Sequence, residues 1–390
     1  MQAPPMDQPD FMDDALEHGV AIGDRDDLWR LVQAAHCLRD EDEPWRPQRE
    51  GVLSPGVSAA QADAVVRGMF QMVCNHLTSA DAAAAFAPLK LLVLIRGSAH
   101  VPEAFVQALR TAPPPVTEHL MVIRPGLFIA LADRFLRLMT CAEVWPNLGD
   151  STTCQTQWQP AALANQPTDP LRFERGMPLA MMSVLMVFYH ELAHILCGHT
   201  AYYDEYAFDK GPGVLSDAQP VAPPGATSPR VDVTCRAIEF DADRWAGLYL
   251  AKVLVTQGVF GKVTEDEIPN WCELVALVAG ITFNAFESAV LTRDYRAGYH
   301  LPSTRMECFL EGFSKGMGIV DHHLFANGAN MAFNFCAVHY VQPGTLAEIK
   351  EDIASVGQST WPELVRLGPA LSAVGSQLAL LRTPVRSKDE

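Results

Sequence analysis

The chain has 390 residues, 49% of them hydrophobic and 19% charged, enough to bury a sizeable core and too apolar for a disordered or fibrous protein. Its 46 acidic against 29 basic residues leave a formal charge of -17, which gives no electrostatic footprint for binding nucleic acid or an anionic membrane. Nine scattered cysteines without a C-x-x-C pair suit reduced thiols, and the start Met1-Gln2-Ala3-Pro4-Pro5 lacks the features of a signal peptide, so a cytoplasmic location is expected.

In chain order, residues 1–50 are acidic and proline-rich and are expected to form a loosely attached extension with one helix over 26–38. Residues 51–165 are expected to form a helical scaffold. Helical periodicity runs over 59–77 and 82–95, and a later helix places Leu127, Ile129, Leu131, Phe135 and Leu138 on its apolar face. Between them, after Pro113-Pro114-Pro115, the short apolar run His119-Leu120-Met121-Val122-Ile123 stops at Arg124-Pro125-Gly126 and is predicted to be a strand. Residues 146–170, rich in Thr, Gln, Asn and Pro, read as a connection to a second unit over 166–340.

That unit opens with the most apolar helix of the chain, 178–197, hydrophobic nearly all round and therefore buried on all sides; Gly198 is placed to end it. Residues 200–229 hold five prolines and three glycines without periodic pattern and read as a disordered insert or a functional lid. Helices over 233–255 and 269–291 follow, and 341–390 reads as a helical tail. The apolar runs 179–189 and 274–286 fall short of the about 20 residues that cross a bilayer, so no integral membrane span is expected. The expected fold class is mainly α with a small β-sheet, α+β.

The chemistry concentrates in His190-Glu191-Leu192-Ala193-His194. Helical positions four apart differ by about 40° in azimuth and about 6 Å in height, so both histidines can reach one metal ion. Glu191 is turned by about 100°, beside the metal, where a carboxylate can take a proton from metal-activated water. A catalytic zinc takes three protein ligands and keeps a position for water, so a third donor is needed. Glu239 and Asp243 share one face of the next predicted helix, while Asp241 points away from both. Glu239 can then bind the metal and Asp243 can accept the second ring N–H of a ligand histidine. The alternative third ligand, His199, lies beyond the predicted helix break at Gly198 and reads as a cap of the helix C-terminus. Cys197 reads as a packing residue. Cys197 and Thr200 occupy the positions where a metzincin needs Gly and His, which disfavours that class.

The pattern His190-Glu191-x-x-His194-x-x-x-Gly198-His199, followed by Glu239-x-x-Ala242-Asp243, resembles the gluzincin metallopeptidases of the HtpX and CAAX-prenyl-protease type, and is similar to the cytoplasmic Lit peptidases associated with phage exclusion. The match covers about a fifth of the chain. It implies a zincin-like core with an active-site helix followed by a glutamate helix, zinc on His190, His194 and Glu239, Glu191 as general base and Asp243 behind the ligands. It also implies that the strand 119–123 is the edge against which an extended substrate lies. The segment Tyr299-His300-Leu301-Pro302-Ser303-Thr304-Arg305 resembles, more weakly, a His-Pro segment with a later Arg; there His300 would stabilise the oxyanion, the bland alternative being a surface turn histidine.

The expected function is therefore a zinc-dependent peptidase with one Zn2+ per chain, acting on a protein or peptide through Glu191. The alternative is a non-catalytic, zinc-stabilised binding or regulatory protein that keeps a gluzincin-like site. Other chemistries lack their motifs: there is no G-x-S-x-G, neither Gly258-Val259-Phe260-Gly261-Lys262-Val263 nor Gly316-Met317-Gly318 forms a phosphate loop, and His322-His323 read as surface residues.

Overall fold

Two apolar runs, Leu91 to Ile95 and His119 to Ile123, form the middle of a five-stranded sheet because both of their faces are covered. The computed structural model describes residues 19–34, 58–79, 89–100, 102–109, 118–150, 162–202, 214–216, 229–257, 264–289, 299–340 and 345–374, with Leu38, Trp45 and Phe86. Strands β1 (Gly19–Ile22), β2 (Lys90–Ile95), β3 (Ala104–Ala108), β4 (Glu118–Ile123) and β5 (Val214–Ser216) lie in the order β1-β2-β4-β3-β5. β2 and β4 run parallel, and the other three pairings are antiparallel. Successive side chains of a strand point to opposite faces. Leu91, Val93, Ile95, Met121 and Ile123 join the helical core, whereas Leu92, Leu94, Leu120 and Val122 meet Leu28, Trp29 and Val32 of helix α1 (Arg25–Ala34).

Three expectations change here. The helix predicted over 82–95 gives way to strand β2 at its C-terminal end, since burial on both faces erases the period-two alternation that marks a strand; residues 80–85, 87 and 88 lie outside the described residues. The strand 119–123 exists but is interior, paired with β2 on one side and β3 on the other, so it has no free edge to offer a substrate. The N-terminal segment is not a loose extension over 19–34, because β1 pairs with β2 and α1 seals one face of the sheet.

Helix α2 (Ala59–Leu77) starts at a capping box made by Ser58 and Gln61, and α3 (Pro125–Met139) follows β4 directly. Helix α4 (Pro170–Leu196) begins before the predicted position, at Asp169, whose side chain accepts from the Arg172 amide, and carries Pro178 within it. The buried Arg172 guanidinium donates to the carbonyls of Met139, Cys141, Val144 and Trp145 at 3.0–3.3 Å. It thus satisfies acceptors left open at the end of α3 and locks α4 onto it. Gly198, at φ 77°, stops α4 as expected, and the short α5 (His199–Tyr202) sets off in a new direction.

The remaining helices are α6 (Pro229–Gln257), α7 (Ile268–Ala289), α8 (Pro302–Met317), α9 (Ala326–His339), α10 (Leu346–Ser355) and α11 (Trp361–Val374), with a π turn over Val356–Thr360. The fold is mainly helical with a small mixed sheet, α+β. A single buried cluster runs from Val66 through Phe135, Leu185, Leu277 and Phe309 to Leu371, so the segments expected as scaffold, second unit and tail share one core. Helices α6 and α8 touch backbone to backbone: a Cβ on Gly312 would lie 1.8 Å from the Arg244 carbonyl oxygen. That approach seats α8 against the acidic face of α6. Two helical segments, Pro170–Leu196 and Glu265–Phe286, are long and apolar enough to cross a membrane by length and composition, longer than the apolar runs suggested; their most apolar windows are 94% and 67% buried within the protein.

Candidate metal centre

His190 and His194 stand one turn apart on α4 with ring centroids 4.7 Å apart and their Nε2 atoms 3.0 Å apart. Glu239, projecting from α6, places Oε2 3.2 Å from His190 Nε2 and Oε1 3.6 Å from His194 Nε2. All three side chains are buried. Ligand atoms that each sit about 2.0–2.1 Å from a tetrahedral ion lie about 3.3 Å from one another. The three separations bracket that value, so the donor set fits a small divalent cation.

Asp243, one turn beyond Glu239, holds Oδ1 2.8 Å from His190 Nδ1. A carboxylate only accepts, so the ring N–H donates to it, and a neutral His190 keeps its Nε2 lone pair for the centre. Arg305 of α8 grips Asp243 with two bonds of 2.8 Å and sets Nη2 3.6 Å from Glu239 Oε2. Burial by itself would raise the Asp243 carboxyl, but Arg305 and then His190 outweigh it and hold it below its ordinary value. His194 is pushed well below the usual histidine range, first by burial and then by His190, His199 and Arg305, so it is held in the neutral form that a metal ligand requires. Glu191 follows His190 on α4 and is 1% exposed. The sequence pointed to the segment containing Arg305 but gave that residue no task; its partner lies on another helix.

His300 is not available for the oxyanion role expected of it. Its Nδ1 is 3.0 Å from Asp352 Oδ1 and its Nε2 2.9 Å from Thr360 Oγ1, so both ring nitrogens are engaged, and it is buried rather than on a surface turn. With the Leu301 amide donating to the other Asp352 oxygen at 2.7 Å, it ties the start of α8 to α10 and the π turn.

His199 is no simple helix cap. It is fully buried, with Nδ1 3.1 Å from His194 Nδ1 and Nε2 3.2 Å from Asp241 Oδ2. Asp241 does face away from Glu239 and Asp243, toward this histidine. Cys197 is buried as a packing residue would be, yet its donor atom lies within 4.8 Å of donors from His199 and Asp241. His322 and His323 are exposed, as expected. Comparison of the chain with family models, curated proteins and solved structures finds no match.

Proposed function

We propose that the protein is a zinc-dependent peptidase with a zincin-like core, α4 serving as the active-site helix and α6 as the glutamate helix. The observation that carries this reading is the convergence of His190, His194 and Glu239 with Glu191 next in sequence to the first ligand. Two imidazoles and one carboxylate are the donor set of catalytic zinc sites that keep a fourth position for solvent. When bound, the ion would polarise the scissile carbonyl and make water more acidic. Glu191 would take a proton from the attacking water and pass it to the departing amine, while Arg305 and Asp243 hold His190 in its ligand orientation. With β4 interior, an extended peptide would add to β5, which pairs with β3 alone among the described strands. The acidic composition speaks against nucleic acid as a partner, and seven described cysteines without disulfides support a reducing, cytoplasmic setting.

Changing Glu191 to Gln should leave one zinc bound and lower hydrolysis of an unbiased peptide mixture by about 10²–10⁴-fold. Hydrolysis at the wild-type rate would sink the mechanism. The burial of Glu191 and the ligands favours one second reading, a zinc-stabilised protein without turnover. Wild-type protein that binds zinc but cleaves nothing in the mixture would select it.

A further inference from the structure

His199 stands between His194 and the Asp241 carboxylate, with both of its ring nitrogens at hydrogen-bond distance. The carboxylate accepts only, so His199 Nε2 carries the proton; a neutral imidazole has one N–H, which leaves His199 Nδ1 as an acceptor. His194 Nδ1 must then donate to it, and the lone pair of His194 Nε2 is turned toward His190 Nε2, 3.0 Å away. Asp243 imposes the same outcome on His190 from the other side. Two imidazole lone pairs and the Glu239 carboxylate therefore face one another, an arrangement that a cation among them would stabilise.

We propose that Asp241 and His199 act as a positioning relay for the metal centre, fixing the tautomer and ring orientation of His194 as Asp243 and Arg305 fix those of His190. This rests on the metal-site reading above. The relay also settles the use of the second donor cluster, Cys197, His199 and Asp241. An ion there would take the lone pair of His199 Nε2 and move that ring's proton to Nδ1, where it is donated to His194. The proton of His194 would then sit on Nε2, the atom that must bind the first ion. While the bond between the two Nδ1 atoms stands, neutral histidines fill one cluster or the other, so the chain holds one ion, on His190, His194 and Glu239.

The test strips the full-length protein of metal, titrates zinc against a competing chelator, and records the visible spectrum of the cobalt-loaded form. Wild type should take up one equivalent. His199→Leu should weaken binding about 10–100-fold and shift the cobalt bands. His199→Asn, whose Oδ1 can accept from His194 Nδ1, should recover most of the affinity, a rescue that a purely space-filling role would not produce. Asp241→Ala keeps His199 in place and should weaken zinc by about tenfold, and it carries the test if His199→Leu does not fold. Cys197→Ser should change neither affinity nor stoichiometry. Zinc held as tightly by His199→Leu and Asp241→Ala as by wild type overturns the relay alone, and so does a second wild-type equivalent that Cys197→Ser abolishes. Failure of the wild type to bind zinc at all overturns the metal centre, and the relay with it.

Discussion

His190 and His300 are both buried, and each presents Nδ1 to an aspartate, 2.8 Å from Asp243 and 3.0 Å from Asp352. In each case the aspartate is held in turn by the N-terminal part of α8 or the residue before it, through the Arg305 guanidinium or the Leu301 amide. The difference lies at the other ring nitrogen. His300 Nε2 meets the Thr360 hydroxyl, whereas His190 Nε2 faces a second imidazole at 3.0 Å and a carboxylate at 3.2 Å. A buried histidine anchored by an aspartate is therefore no signature of function in itself. What the remaining nitrogen faces separates a structural tie from a metal ligand.

The largest contrast is expected on deleting the two rings. His190→Ala should abolish zinc uptake and hydrolysis together, because it removes one of the three proposed ligands. His300→Ala should keep one zinc per chain and cost about 1–3 kcal/mol in urea unfolding, the penalty of leaving Asp352 and Thr360 without their partner. Loss of zinc from both variants would erase the distinction between the sites. Next in size is Arg305→Met, which takes the guanidinium from the buried Asp243 carboxylate and leaves it facing the His190 ring N–H. Removing one member of a buried pair costs about 3–5 kcal/mol, so metal-free protein should unfold at markedly lower urea, and the zinc affinity should fall as His190 loses its anchor. A smaller effect should come from Gly312→Ala, where the new methyl meets the Arg244 carbonyl oxygen. Pushing α8 off α6 should cost about 1–3 kcal/mol and weaken zinc without touching a ligand, since Arg305 rides on α8. Unchanged zinc affinity there would mean that Asp243 holds His190 without help from the third helix.

The part of this site that was legible in the sequence is the part built by helical repetition. His190 with His194, and Glu239 with Asp243, are each four apart, and that spacing alone puts each pair on one face. Arg305 and His199 stand in patterns the sequence shows, but the partners they meet beside the site were not legible there. Arg305 reaches Asp243 through the packing of α8 on α6, and His199 meets His194 only because Gly198 turns the chain at the end of α4. The role expected of His300 failed for the same reason, its partners lying on α10 and the π turn. In the sheet, the strand 119–123 was visible as a short apolar run between breakers, but its place between β2 and β3 depends on pairings that no local pattern records. β2 itself reads as helix in the sequence because its two buried faces leave no alternation.

The finest division between the two histidines concerns acid. Burial by itself would raise the Asp352 carboxyl, but the hydrogen bond and charge of His300, then the Thr304 side chain and the Leu301 amide, outweigh it and hold it below its ordinary value. A carboxyl lowered in this way binds fewer protons in the folded chain than in the unfolded one, so it adds to stability as pH rises. Its contribution is complete above the ordinary carboxylate value of about 4 and is lost as pH falls from there through the folded value. Asp352→Asn keeps an oxygen that can accept from His300 Nδ1, but it removes the charge and sets an amide NH2 where Oδ2 accepts from the Leu301 amide. The loss of the Leu301 bond gives a pH-independent offset in urea unfolding between metal-free wild type and this variant, and the charge adds a further gap at pH 6 that should shrink as pH drops below about 4. A gap that stays constant with pH would show that the His300 tie depends on the shape of Asp352 rather than its charge, and so would set it apart from the charged grip of Arg305 and Asp243 on His190.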